Sequence, residues 1–164
     1  KGHRNPQGLF YISKNNLIIN TEHGPKGGDE INLNFLNKKN EINNFGWPIA
    51  SYGIEYDGTD PYKKSHSNFG FIEPLKNFSP SIGISEILFL PKSNTRKENY
   101  LIVSSLRASS IYLLTVDDNF TKILNEDRIF FSDQRIRDIE YDNRLKKIMM
   151  IFETTPSIAT IDFE

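Results

Sequence analysis

Hydrophobic positions along this chain come in short runs broken by polar residues, and their period is that of strands rather than helices. Residues 30–35 (EINLNF) set Ile31, Leu33 and Phe35 against Asn32 and Asn34, the alternation of a half-buried strand. Residues 9–13 (LFYIS) and 16–20 (NLIIN) are β-branched and aromatic and flank Lys14-Asn15, which predicts adjacent strands joined by a turn. Further strands are predicted over residues 81–90, 100–106, 110–116, 121–124, 128–131, 136–141, 147–152 and 158–163. Short antiparallel strands at steady spacing imply an all-β barrel, sandwich or propeller. The pattern alone does not choose among these, and no internal repeat is visible.

Other stretches break the alternation. Residues 36–44 form a polar run read as a loop, and Pro48, lacking a donor, makes residues 46–51 a bend or sheet edge. Residues 52–77 are rich in Gly, Asp, Pro, Ser and Lys and read as one long connection, the kind that is usually functional or mobile. Near the start, Arg4 and Asn5 are expected in one loop and residues 23–30 in another, so that the first strands carry polar loops at their ends.

At 164 residues, 37% hydrophobic and 25% charged, the chain has the composition of one soluble globular domain. A formal net charge of −1 supplies no basic stripe for a phosphate backbone and argues against nucleic acid as a partner. The pairs Lys38-Lys39, Lys63-Lys64 and Lys146-Lys147 read as solvated turn residues. Without cysteine there is neither a disulfide framework nor a thiolate metal site. No apolar stretch approaches the roughly twenty residues of a membrane span. The chain starts at Lys1 without Met, immediately before the dense polar motif of residues 2–8, so it is expected to be a fragment.

Those motifs carry a resemblance. GHRNPQG (residues 2–8), EHGPKGGDEIN (22–32), FGWP (45–48), SYGIEYDG (51–58) and QRIRD (134–138) occur in this order in the glucose/sorbosone dehydrogenase family, and the chain resembles its aldose sugar dehydrogenase branch. The resemblance implies a partial six-bladed β-propeller, with residues 1–164 forming C-terminal blades of a single domain. It also implies pyrroloquinoline quinone (PQQ) and Ca²⁺ as cofactors.

PQQ is a planar quinone with three carboxylates, so its pocket calls for guanidinium forks and a hard cation. Arg135 and Arg137 lie two apart at the start of a predicted strand, so their side chains leave one face. By resemblance, Arg4, Asn5, Tyr56, Arg107, Arg135 and Arg137 match cofactor contacts, and Ser81 matches a hydroxyl residue that contacts it in one branch. The plainer reading makes Arg137-Asp138 and Arg128-Asp127 surface pairs. The Gly24 and Pro25 carbonyls match ligands of the Ca²⁺ that bridges to PQQ, and Glu30 with the Phe45 carbonyl matches a second, structural Ca²⁺ site. Taken without the resemblance, GPKGGDE is a Gly-rich turn, and it is no P-loop.

The implied reaction oxidises the C1 hydroxyl of an aldose to a lactone and passes electrons to a further acceptor. The family's base histidine lies on an earlier blade, so no catalytic residue is expected here; His3 and His23 are read as pocket supports and Asp29 as an orienting group. His66 has no assigned partner. The resemblance further implies a periplasmic or secreted protein, and an isolated fragment that is inactive and prone to aggregate through open strand edges. Two rivals remain: a non-catalytic propeller that binds a partner, and a metal-dependent lactonase-like hydrolase.

Overall fold

The computed structural model describes residues 1–36 and 42–163. It is all-β, with eleven strands in three antiparallel sheets among the described residues. The chain divides into two units, Lys1–Ile84 and Ser85–Glu164.

Unit 1 holds one four-stranded sheet in the order β1-β2-β3-β4, formed by Pro6–Ile12, Leu17–Glu22, Asp29–Phe35 and Lys76–Phe78. The predicted turn at Lys14-Asn15 is a short 3-10 segment, Ser13–Asn15, closed by Asn16 in the left-handed region at φ 48. Asparagine tolerates that conformation better than most residues. Central β2 buries Leu17 and Ile19 completely, and Ile31 of β3 is equally buried. In β1 the register shifts between Pro6 and Leu9, and the Gly8 amide is caught by the Thr21 hydroxyl at 2.8 Å instead of by the ladder.

Unit 2 holds two sheets. One has the order β5-β6-β7-β8, from Ile84–Leu90, Asn99–Ser105, Ser110–Val116 and Ile123–Phe131. The other has β9 (Ile136–Asp142), β10 (Lys147–Phe152) and β11 (Ser157–Asp162), with β10 in the middle. Their core contains Ile87, Leu101, Ile102, Ile111, Leu114, Ile136 and Ile148. Inside it, Ser85 Oγ donates to the Ile136 carbonyl at 2.7 Å, so a polar group buried between strands stays satisfied.

Several expectations are revised. Residues 121–124 and 128–131 belong to one strand, because the polar Asn125, Glu126 and Asp127 continue the β7 pairing. The strand expected over 81–90 begins only at Ile84. The long connection ends earlier than expected, since Lys76–Phe78 pairs with Asp29–Ile31. Asp29 and Glu30 therefore sit in β3 rather than in the loop before it. Of the loop expected over 36–44, residues 37–41, including Lys38-Lys39, lie outside the described residues. Lys64 is no solvated turn residue: its ammonium donates to the Ser51 carbonyl at 3.0 Å, the Gly53 carbonyl at 2.6 Å and Asp60 at 2.8 Å.

Candidate functional site

Unit 1 gathers its polar motifs at one end of the first sheet. The first residues are tied to FGWP by backbone bonds, the Phe45 amide to the Lys1 carbonyl and the Trp47 amide to the Gly2 carbonyl, each at 2.9 Å. Glu22, 3% exposed, is the anchor beneath them. Its carboxylate accepts from His3 Nδ1 at 2.8 Å, the Arg4 amide at 2.6 Å and Asn32 Nδ2 at 2.6 Å. His3 also stacks on Phe45, with ring centroids 4.2 Å apart.

This anchoring leaves the Arg4 guanidinium partly uncommitted. Nη1 donates to the His23 carbonyl at 3.3 Å and the group lies 5.3 Å from the Trp47 ring centroid, while buried Nε has no hydrogen-bond partner. A buried guanidinium donor left open is costly, and an anion relieves it.

Arg4, Asn5, His23, Gly24, Pro25, Asp29, Tyr56 and Ser81 line one cavity of about 240 Å³. Four of the expected cofactor residues, Arg4, Asn5, Tyr56 and Ser81, thus meet Gly24 and Pro25 around a single space. The volume lies below the roughly 300–1,000 Å³ of a complete small-molecule site.

The loop that carries Gly24 folds tightly for a visible reason. A Cβ on Gly24 would lie 2.1 Å from the Gly27 carbonyl oxygen and 2.5 Å from that of Gly28, so only glycine fits. Lys26 and Ile54 exchange backbone hydrogen bonds at 2.9 and 3.1 Å, which joins this loop to the SYGIEYDG segment and sets Tyr56 at the rim, 70% exposed. Asp29, 1% exposed, accepts from Ser81 Oγ at 2.7 Å and from the Ile84 amide at 3.0 Å, while His23 Nε2 lies 2.6 Å from the Ile84 carbonyl. Asp29 therefore orients Ser81 and the entry to β5, and the His23 ring is held against the Ile84 carbonyl.

Deeper in the unit, Glu30 is 6% exposed beside Glu22, Asp29 and Glu73. Burial, reinforced by those three carboxylates and opposed by the Asn32 hydrogen bond, pushes its carboxyl up to about 8. A buried acid so disfavoured as an anion suits a neighbouring cation. A small cavity of about 10 Å³, bordered by Glu22, Glu30 and Phe45, adjoins it, large enough for about one water-sized occupant. Neither Glu22 nor His66 was picked out as a member of this cluster by the local sequence pattern. His66 is 1% exposed and comes to Glu30 through the connection between β3 and β4.

In unit 2, Arg107 is exposed in the bend between β6 and β7. Arg135 and Arg137 are exposed and share one face as expected: Arg135 Nε and Arg137 Nη2 lie 3.4 and 2.5 Å from the same Glu153 oxygen. Of the plainer surface pairings, Arg137 is indeed in an exposed ion pair, with Glu153 rather than Asp138, while Arg128 lies 4.3 Å over the Phe131 ring and donates to the Ala108 carbonyl.

Antiparallel meander sheets, two of four strands and one of three, are the blade-like units of a β-propeller. The profile of the Glucose / Sorbosone dehydrogenase family matches residues 1–155, and the chain belongs to that family. It is 33% identical to the aldose sugar dehydrogenase YliI of Escherichia coli over 84% of this chain and 36% of that protein. It is 25% identical to quinoprotein glucose dehydrogenase B of Acinetobacter calcoaceticus over 84% of this chain and 39% of that protein. The crystal structure of the soluble aldose sugar dehydrogenase of E. coli in its apo-form superposes with a TM-score of 0.80 at 27% identity, covering 97% of this chain and 44% of that one. The chain thus spans between a third and a half of the length of these relatives. Among the described residues no helix is long and apolar enough to cross a membrane.

Proposed function

We propose that this chain supplies part of the cofactor site of a PQQ- and Ca²⁺-dependent dehydrogenase that oxidises the C1 hydroxyl of aldoses to lactones. The observation that carries the reading is the cavity in which Arg4, Asn5, Tyr56 and Ser81 meet Gly24 and Pro25. The open Nε of Arg4 fits one carboxylate of the quinone, and its anchorage on Glu22 and His23 holds the guanidinium ready before any ligand arrives. Gly24 and Pro25 offer backbone oxygens to a hard cation without placing a competing side-chain charge in the cavity. Ser81 donates to Asp29 and accepts from the Gly83 amide at 3.0 Å, so it meets a ligand as an acceptor through its remaining lone pair.

When bound, PQQ supplies the hydride acceptor. The chain's own residues bind and orient it, and Arg107, Arg135 and Arg137 of unit 2 are carried as cofactor contacts by the family resemblance alone. Two of the three histidines are committed, His3 to Glu22 and His23 to Ile84, and the third is buried at Glu30. By the family resemblance the proton acceptor is a histidine of an earlier blade, outside this chain. The substrate is an aldose, the electrons leave to a separate acceptor, and the protein works in the periplasm or outside the cell.

The test is reconstitution of the complete protein, this chain together with the blades that carry the base histidine, with PQQ and Ca²⁺, followed by reduction of an artificial electron acceptor across a panel of aldoses. Sugar-dependent dye reduction is expected. PQQ binding without turnover on any sugar would overturn the substrate, and absence of PQQ binding in a titration would overturn the cofactor.

A further inference from the structure

The FGWP segment, residues 45–48, has no part in the lining of the cofactor cavity. Its tryptophan stands behind Arg4 instead. The Arg4 guanidinium carbon lies over the Trp47 ring, 5.3 Å from the centroid, inside the roughly 6 Å range of a cation–π contact. Arg4 borders both the cavity of about 240 Å³ and the small one of about 10 Å³, whereas Trp47 borders only the second of these. The ring thus reaches the cofactor cavity through Arg4 and not directly.

Local structure fixes the ring in that place. The Phe45 amide donates to the Lys1 carbonyl and the Trp47 amide to the Gly2 carbonyl, each at 2.9 Å, so this backbone runs alongside the residues that lead to Arg4. Trp47 packs in turn against Tyr62, with ring centroids 5.4 Å apart, and the Tyr62 hydroxyl donates to Glu55. Tyr62 is 9% exposed, so the aromatic pair is seated in the interior of the unit.

An aromatic face does for Arg4 what a carboxylate could not. A carboxylate would take the N–H groups and cancel the charge before any ligand came. Glu22 accepts from the Arg4 backbone amide, while the guanidinium donates through Nη1 to the His23 carbonyl at 3.3 Å and keeps Nε open. The negative face of a ring attracts the cation through its quadrupole and occupies none of its in-plane donors. The group is held still with its charge and its donors left for an anion.

We propose that Trp47 is a positioning residue for the cofactor: its ring holds the Arg4 guanidinium in the orientation that meets a carboxylate of PQQ. The proposal deepens the PQQ reading and rests on it. A side chain ordered beforehand lowers the cost of ordering it on binding, so loss of the ring lowers affinity.

The test is PQQ titration, in the presence of Ca²⁺, of the complete protein and its variants, with melting of the ligand-free forms alongside. Trp47→Leu is expected to weaken PQQ binding roughly 3- to 30-fold, and Trp47→Phe, which keeps an aromatic face, to stay within about twofold of wild type. In an Arg4→Met background, Trp47→Leu is expected to change affinity less than about twofold, because the ring then has no cation to hold. Equal losses in both backgrounds mean packing alone and overturn the proposal, as does a Trp47→Phe protein that binds as weakly as Trp47→Leu. Should Trp47→Leu fail to fold, or Arg4→Met bind no PQQ, a tetrafluorinated tryptophan at position 47 decides. It keeps the ring's shape and withdraws charge from its face, so weaker binding with unchanged melting is expected, and unchanged affinity overturns the proposal. A wild type that binds no PQQ overturns the cofactor reading and this proposal with it, whereas a wild type that binds PQQ no better than Trp47→Leu overturns this proposal alone.

Discussion

The Asp29 carboxylate holds the Ser81 hydroxyl at 2.7 Å and, with the same oxygen, the Ile84 amide at 3.0 Å. One buried side chain of β3 thereby sets both a cavity-lining hydroxyl and the first residue of the next strand. Asp29→Ala leaves the Ile84 N–H without its acceptor, and a loss of about 1–3 kcal/mol is expected in urea denaturation. Ser81→Ala keeps the Ile84 bond and is expected to lose less than about 1.5 kcal/mol.

Gly24→Ala forces a methyl group to within 2.1 Å of a backbone oxygen that cannot give way cheaply. The loop must open, so both the denaturation midpoint and the affinity for PQQ are expected to fall. Gly58→Ala meets no atom within 4 Å and bears only its positive φ of 94, so a smaller loss of stability is expected. A Gly24→Ala protein with wild-type melting and wild-type PQQ titration would contradict the tight-loop account.

Glu30 gives stability a pH dependence with a definite sign. Its carboxyl is pushed from 4.5 to about 8 in the folded protein, so the native state keeps a proton that the unfolded chain releases. The contribution is complete below the unfolded value and is lost as pH rises through about 8, by at most about 1.4 kcal/mol per pH unit. Denaturation of metal-free protein at pH 5, 6.5 and 8 is expected to show the decline, and Glu30→Gln to flatten it. A wild type whose stability rises with pH in the presence of EDTA, relative to Glu30→Gln, would refute the assignment.

Glu153 holds both Arg135 and Arg137, but all three are exposed, and such pairs contribute little. Glu153→Gln is expected to leave the melting curve unmoved. Arg137→Ala is expected to weaken PQQ binding with equally little effect on melting, as measured by fluorescence titration. Wild-type PQQ affinity in that variant would remove Arg137 from the site.

The β11 strand pairs with β10 alone among the described residues, with Ile158 opposite Ile151 and 76% exposed. An open edge with apolar residues invites pairing with another chain. The purified chain is expected to self-associate with rising concentration, and Ile158→Lys to reduce this in sedimentation velocity. Monomeric behaviour at high concentration would show the edge to be harmless.

The alternation of Ile31, Leu33 and Phe35, and the runs around β7 and β10, made the strands legible without coordinates, because side-chain direction in a strand depends only on position parity. The polar motifs were legible only through the family resemblance, which named Arg4, Gly24 and Tyr56 as candidates; taken by itself, GPKGGDE reads as a Gly-rich turn. Boundaries were harder. The break expected inside β8 vanished because Asn125 to Asp127 keep their ladder bonds to β7 while their side chains face solvent, and a polarity count cannot see a ladder. Lys76–Phe78 was invisible for the converse reason, a short strand defined only by its partner.

Local sequence determined which segments extend, which loops need glycine and which residues carry charge. Only the tertiary structure decided that Glu22 is an anchor, that Lys64 pins the Ser51 and Gly53 carbonyls, and that His66 reaches Glu30 from 36 positions away. Burial and orphaned donors are properties of packed surroundings, and no window along the chain contains the atoms that create them.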